Sequence, residues 1–139
     1  MNRISLIISV LVISVFAFTF GSCSINTKTI EPYTIAVDSV ACPDTVKIKM
    51  NFDIQIFGYV GPSKCYRFDK AYIYPNTSEN NELRIEAWGV YSYDGTPCED
   101  APQWMTEKVT TAIAVPGRYK IRAVRTNYDF AEKTVVAVQ

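Results

Sequence analysis

From position 32 onward the apolar residues recur at every second position. Tyr33, Ile35 and Val37 alternate with Thr34, Ala36 and Asp38, and Phe52, Ile54 and Ile56 alternate with Asp53 and Gln55. Val46 and Ile48 do the same against Lys47 and Lys49, as do Leu83, Ile85 and Ala87 against Arg84 and Glu86. Successive side chains of a strand point to opposite faces, so each run predicts a strand with one face buried. Cys65–Tyr74 predicts another, with Tyr66, Phe68, Tyr72 and Tyr74 on one face despite Lys70. The runs 109–115, 119–124 and 134–138 complete the set, separated by clusters of Gly, Pro, Asn and Asp. No helical stripe of period 3.6 competes with them. Short strands at this spacing over 32–139 predict an all-β domain, an antiparallel β-sandwich of about seven strands.

Two tryptophans fit this pattern poorly. If Leu83, Ile85 and Ala87 face inward, Trp88 and Val90 face outward, unless a bulge at Gly89 reverses the register. Trp104 follows Ala101-Pro102-Gln103, which reads as loop or edge strand. Exposed tryptophans stack on sugar rings or anchor a protein partner. Trp88 and Trp104 are therefore the candidate ligand-binding residues, and their ordinary alternative is to cover the core or an edge.

The first 22 residues break the alternation. Ile4–Phe20 is apolar and uncharged behind Arg3, the layout of an export signal. At seventeen residues it lies at the short limit for a membrane span, which with plain secretion is the alternative reading. Gly21-Ser22-Cys23 resembles the lipobox of bacterial lipoproteins, with Phe20 where Leu is commoner. The resemblance implies cleavage after Ser22, acylation of Cys23 and a tether over 23–31 ahead of the domain. Two or three acyl chains hold a protein on a membrane durably. Ser24, with no Asp there and no acidic run after it, implies an outer-membrane anchor facing the periplasm.

Composition removes several function classes. The whole chain has 14 Lys and Arg, 14 Asp and Glu and no His. Interspersed, balanced charge leaves no footprint for nucleic acid or for a polybasic membrane patch. Without His the commonest general base and metal ligand are missing, and Ser-His or Cys-His catalysis is excluded. The remaining acids sit singly along strands, apart from Asp94, Glu99 and Asp100 around Cys98. Those three form the only candidate for a Ca²⁺ site or a small catalytic centre, and they lack the spacing of a Ca²⁺ loop. We therefore expect no enzyme, no cofactor and no resident metal.

Three cysteines follow Cys23. Cys65 and Cys98 both sit in turn-rich contexts, beside segments that read as neighbouring strands, so they are expected to pair. A bridge across that separation stabilises a fold by roughly 3 to 4 kcal/mol on the chain-entropy account. Cys42 is left over. A bridge at Cys98 would brace the loop 94–102, which suggests an alternative function as an inhibitor of an envelope enzyme.

Pro116-Gly117-Arg118-Tyr119 resembles the Pro-Gly-x-Tyr corner of immunoglobulin-like and fibronectin-like extracellular modules. The resemblance covers about six residues and implies an immunoglobulin-like sandwich in which the Tyr119 hydroxyl bonds back across the corner. Asp38-Ser39-Val40 and Asp44-Thr45-Val46 resemble a bacterial O-glycosylation signal, making Ser39 and Thr45 candidate acceptors. Asn76-Thr77-Ser78 matches the N-glycosylation pattern, for which a plain loop is the simpler reading. Together these features lead us to expect a lipid-anchored, non-catalytic envelope module that binds a glycan or an envelope protein.

Overall fold

The computed structural model describes residues 28–75, 81–126 and 129–139. The signal segment, Cys23 and the Asn76–Ser78 triplet lie outside them. The described chain is all-β, and its nine strands form two packed sheets. They are β1 (Thr29–Ile35), β2 (Val37–Ala41), β3 (Thr45–Lys47), β4 (Asn51–Ser63) and β5 (Tyr66–Pro75), then β6 (Glu82–Tyr93), β7 (Asp100–Ala112), β8 (Gly117–Val124) and β9 (Phe130–Val138). The first strand begins three residues before the boundary read from the sequence.

The smaller sheet has the order β2-β4-β7. The larger is built around β6, with β5 along one of its edges from Tyr66–Tyr91 to Pro75–Leu83. Its other edge is shared: β1 pairs with residues 87–93 and β8 with residues 82–85. From β8 the sheet continues through β9 to β3.

Five of the seven strand pairs are antiparallel, and β6–β8 and β3–β9 are parallel. The β6–β8 pair follows from the connection. The chain leaves β6, reverses through β7 in the opposite sheet and reverses again into β8, so the two strands run the same way.

The ninth strand comes from a crossing. Tyr33, Ile35 and Val37 read as one strand, but the chain passes from the larger sheet to the smaller at Ala36. Ile35 and Val37 are both fully buried on either side of that point. The crossing brings the Ala36 backbone so close to β4 that a Cβ on Gly58 would lie 2.5 Å from the Ala36 carbonyl oxygen. Only glycine admits that approach.

The core lies between the sheets, where Ile35, Ile54, Ile56, Ile85, Ile121, Val37 and Val135 are its largest fully buried side chains. Burying such a side chain contributes about 1.5 to 3 kcal/mol. The alternation read from the sequence is the alternation observed in β4, β6, β8 and β9.

β5 departs from it. A register shift between Phe68 and Lys70 inserts Asp69 as an extra residue. Side-chain direction reverses there: Tyr66, Phe68, Ala71 and Ile73 pack on the core, whereas Tyr72 and Tyr74 face outward. The single aromatic face expected for 65–74 is thus divided between two faces, as one inserted residue requires.

Gly89 carries no bulge, and β1 and β6 pair continuously through Tyr33–Gly89. A Cβ there would fall 2.6 Å from the Tyr33 ring. The ring fills the space that a side chain would take, and its hydroxyl donates to the Val60 carbonyl oxygen at 2.7 Å. Trp88 accordingly points outward.

The Tyr119 hydroxyl donates to the Val115 carbonyl oxygen at 2.9 Å, closing the corner before β8.

Candidate functional site

β4 and β7 run antiparallel over almost their whole length. Their inward positions, among them Ile54, Ile56 and Met105, are buried, so the intervening residues form the outer face of the smaller sheet. On that face Tyr59 stands opposite Trp104 and Phe57 opposite Thr106. Next come Gln55 opposite Lys108 and Asp53 opposite Thr110.

Trp104 is 70% exposed. Its ring meets that of Tyr59 edge to face, with centroids 5.1 Å apart and planes at 64°. β7 forms a sheet edge, so the Trp104 side of this face is open laterally as well as outward. Of the loop and edge-strand alternatives for this stretch, the structure shows the edge strand, thirteen residues long. Proline is tolerated there because an edge strand leaves alternate N–H groups unpaired.

Asp53 and Lys108 on this face pair at 3.2 Å, whereas the exposed Asp100 farther along β7 has no ion-pair partner among the described residues. The Thr110 hydroxyl donates to Asp53 at 2.7 Å. That hydrogen bond and the Lys108 ammonium hold the Asp53 carboxyl below the usual carboxylate range.

Trp88 lies on the outer face of the other sheet, so the two tryptophans do not form one site. It occupies a groove of about 260 Å³ lined with Pro32, Asp69, Lys70 and Tyr72. Its Nε1 is buried without a hydrogen-bond partner among the described residues. Lys70 Nζ sits 5.5 Å above the centre of the Tyr72 ring, capping that aromatic with a cation.

Cys65 and Cys98 are joined, with Cα atoms 5.7 Å apart. Cys65 belongs to the turn between β4 and β5, and Cys98 to the loop between β6 and β7. Both connections cross from one sheet to the other, so the bridge ties the sheets together at this end. Lys64 and Glu99 reinforce it through an ion pair at 2.6 Å and a backbone hydrogen bond at 3.1 Å. Cys42 is free and half-buried, and burial pushes its thiol pKa up, away from a reactive thiolate.

The acidic candidates do not converge. The Asp94 carboxylate accepts from the Thr96 backbone N–H at 3.0 Å, which lowers its pKa, and Glu99 is held by Lys64. No group of three or more potential metal-ligating Cys, Asp or Glu side chains exists among the described residues, so Asp94, Glu99 and Asp100 are not brought together. Ser39 and Thr45 are both exposed, on β2 and at the start of β3.

A groove of about 530 Å³ opens between β5 and β7, where Ala71, Ile73, Val109 and Thr111 flank Leu83. Its lining is apolar and hydroxylated apart from Lys108, with no carboxylate.

Sequence reasoning passed over Tyr59 and Phe57, although a signal was present. Between Phe52 and Val60 the buried positions of β4 are Phe52, Ile54, Ile56, Gly58 and Val60, so Phe57 and Tyr59 are aromatics at outward-facing positions. Comparison of the chain with family models, with curated proteins and with solved structures finds no match.

Proposed function

We propose that this protein is a non-catalytic binding module held on a bacterial outer membrane by lipid on Cys23, facing the periplasm. Ligand would be engaged by the outer face of the smaller sheet. The observation that carries this reading is the uncovered Trp104 beside Tyr59 on an open strand edge. A large exposed aromatic costs solubility and adds nothing to the core, whereas in an interface it is the residue type that contributes most.

The test uses full-length protein in detergent and delipidated cell-envelope material. Wild-type protein should be retained and Trp104→Ala should pass through, with matching near-UV circular dichroism showing that both are folded. Equal retention of the two would end this reading. The anchor has its own test: labelled palmitate should enter the wild-type protein and not Cys23→Ala. Incorporation into both, or into neither, would remove the lipid anchor.

A further inference from the structure

We infer that the Trp104 face takes a neutral, soluble polysaccharide chain. This rests on the proposed binding face and adds the chemical class of its ligand.

The argument begins with charge. Asp53 and Lys108 neutralise each other at 3.2 Å, and Thr110 completes the shell of Asp53. An anionic ligand finds no unpaired cation on the paired β4 and β7 positions and would give up hydration without compensation. A ligand of hydroxyl groups and C–H faces has no such cost.

The second observation is what the face offers. Trp104 presents an open ring surface, while the outward Gln55, Thr106 and Ser39 lie within one or two residues of the aromatics along paired strands. A pyranose ring has an apolar C–H face that packs on an indole and a rim of hydroxyls that bond amides and hydroxyls. Outward residues along a strand are spaced by about 6.7 Å. The Phe57–Tyr59 row beside Trp104 therefore has the scale of neighbouring sugar units.

Ring geometry narrows the class further. Tyr59 and Trp104 are inclined at 64°, so they do not form a flat strip. Inclined rings fit a single chain whose successive units turn, and they fit a planar crystalline surface poorly.

On the opposite sheet Tyr74 is exposed beside Tyr72, but three other aromatics are more confined than Trp104. Arg122 covers the Phe130 ring at 3.9 Å, Lys70 caps Tyr72, and Trp88 is partly sunk between neighbouring strands.

The experiment is calorimetric titration of the full-length protein, in a detergent without a sugar headgroup, with starch, a β-1,3-glucan and a mannan. Polygalacturonate and crystalline cellulose serve as contrasts. At least one neutral soluble polymer should bind. Trp104→Ala should weaken that binding about tenfold or more, and Trp88→Ala should not. Raising NaCl from about 50 to about 500 mM should leave the affinity unchanged, because no ion pair is made.

Absence of binding to all three neutral polymers would overturn the inference. So would binding that ignores Trp104, or binding confined to polygalacturonate or cellulose. If the neutral polymers fail while retention on envelope material still depends on Trp104, the polysaccharide is wrong and the binding face stands. If neither assay responds to Trp104, both fall.

Discussion

The outer faces of the two sheets invest their side chains differently. On the larger sheet the polar residues are bound to one another: Arg122 reaches Glu132 at 2.8 Å and Glu82 at 3.3 Å while stacking on Phe130, and Arg84 pairs with Glu86 at 2.8 Å. On the smaller sheet Asp53 and Lys108 pair, and Trp104, the most exposed large hydrophobic side chain of the described residues, meets the Tyr59 ring edge to face. The first arrangement pairs its charges, although Trp88 Nε1 on that face has no hydrogen-bond partner among the described residues. The second leaves interaction capacity unused, which is why the reading of function falls there.

The comparison can be broken most forcefully where the sheets are joined. Cys65→Ser and Cys98→Ser should each destabilise the domain by about 2 to 5 kcal/mol in urea unfolding. The double variant should be no worse than either single one, because the same bond is lost. Additive losses would mean that the two thiols act separately and that the sheets are not coupled at this end.

Phe130→Ala tests the charge-paired face. Loss of half-buried ring area and of the Arg122 stacking should cost about 1 to 2 kcal/mol, with Trp104-dependent binding unchanged. Trp104→Ala should do the reverse, shifting unfolding by less than about 0.5 kcal/mol while binding is lost. If the stability effects of these two variants were interchanged, the contrast between the faces would be false.

The smallest expected effect concerns the closed charge pair. Asp53 titrates below its ordinary range in the folded protein, so the unfolded chain binds its proton first as pH falls. Its contribution is complete above the usual carboxylate value of about 4 and disappears as the pH drops through the lower folded value. Asp53→Asn should therefore lower stability slightly at neutral pH, where the pair is intact, and converge on the wild-type value below the folded pKa, so that the acid side of its profile is flatter. Urea midpoints from pH 2 to 7 would show it, and a loss confined to the most acid pH would contradict the assignment.

Much of the fold was legible because burial on one face imposes a period of two. The Cys65–Cys98 pair could be read from its turn contexts, and the outward direction of Trp88 from its neighbours in β6. The bulge at Asp69 was not read. The phase change there is carried by Ala71 and Ile73, small and apolar, against the larger Tyr72 and Tyr74. Amphipathic tyrosines satisfy either face, so the pattern admitted both registers. The crossing at Ala36 was hidden for a related reason: Ile35 and Val37 keep their alternation while the chain changes sheets, because both sheets border one core. The Trp104–Tyr59 contact joins residues 45 positions apart, and no local pattern encodes a pairing of that range.

The place where the chain enters the domain has a mechanical consequence. Lys28 lies beside Cys65 and Cys98, and Thr29 pairs with Tyr93 at the last position of β6. Trp104 sits toward that same end, since the adjoining β4–β7 partners lead through Gly61–Gln103 to Ser63–Asp100. Under the proposed lipid anchor and Trp104 ligand, tension between the two would run through one end of the sandwich. There β1 is loaded along its length against β6, so its seven residue pairs share the force in shear. The Cys65–Cys98 bond bridges the two connections in the loaded region, and the far end, where β8 begins, carries little of the load.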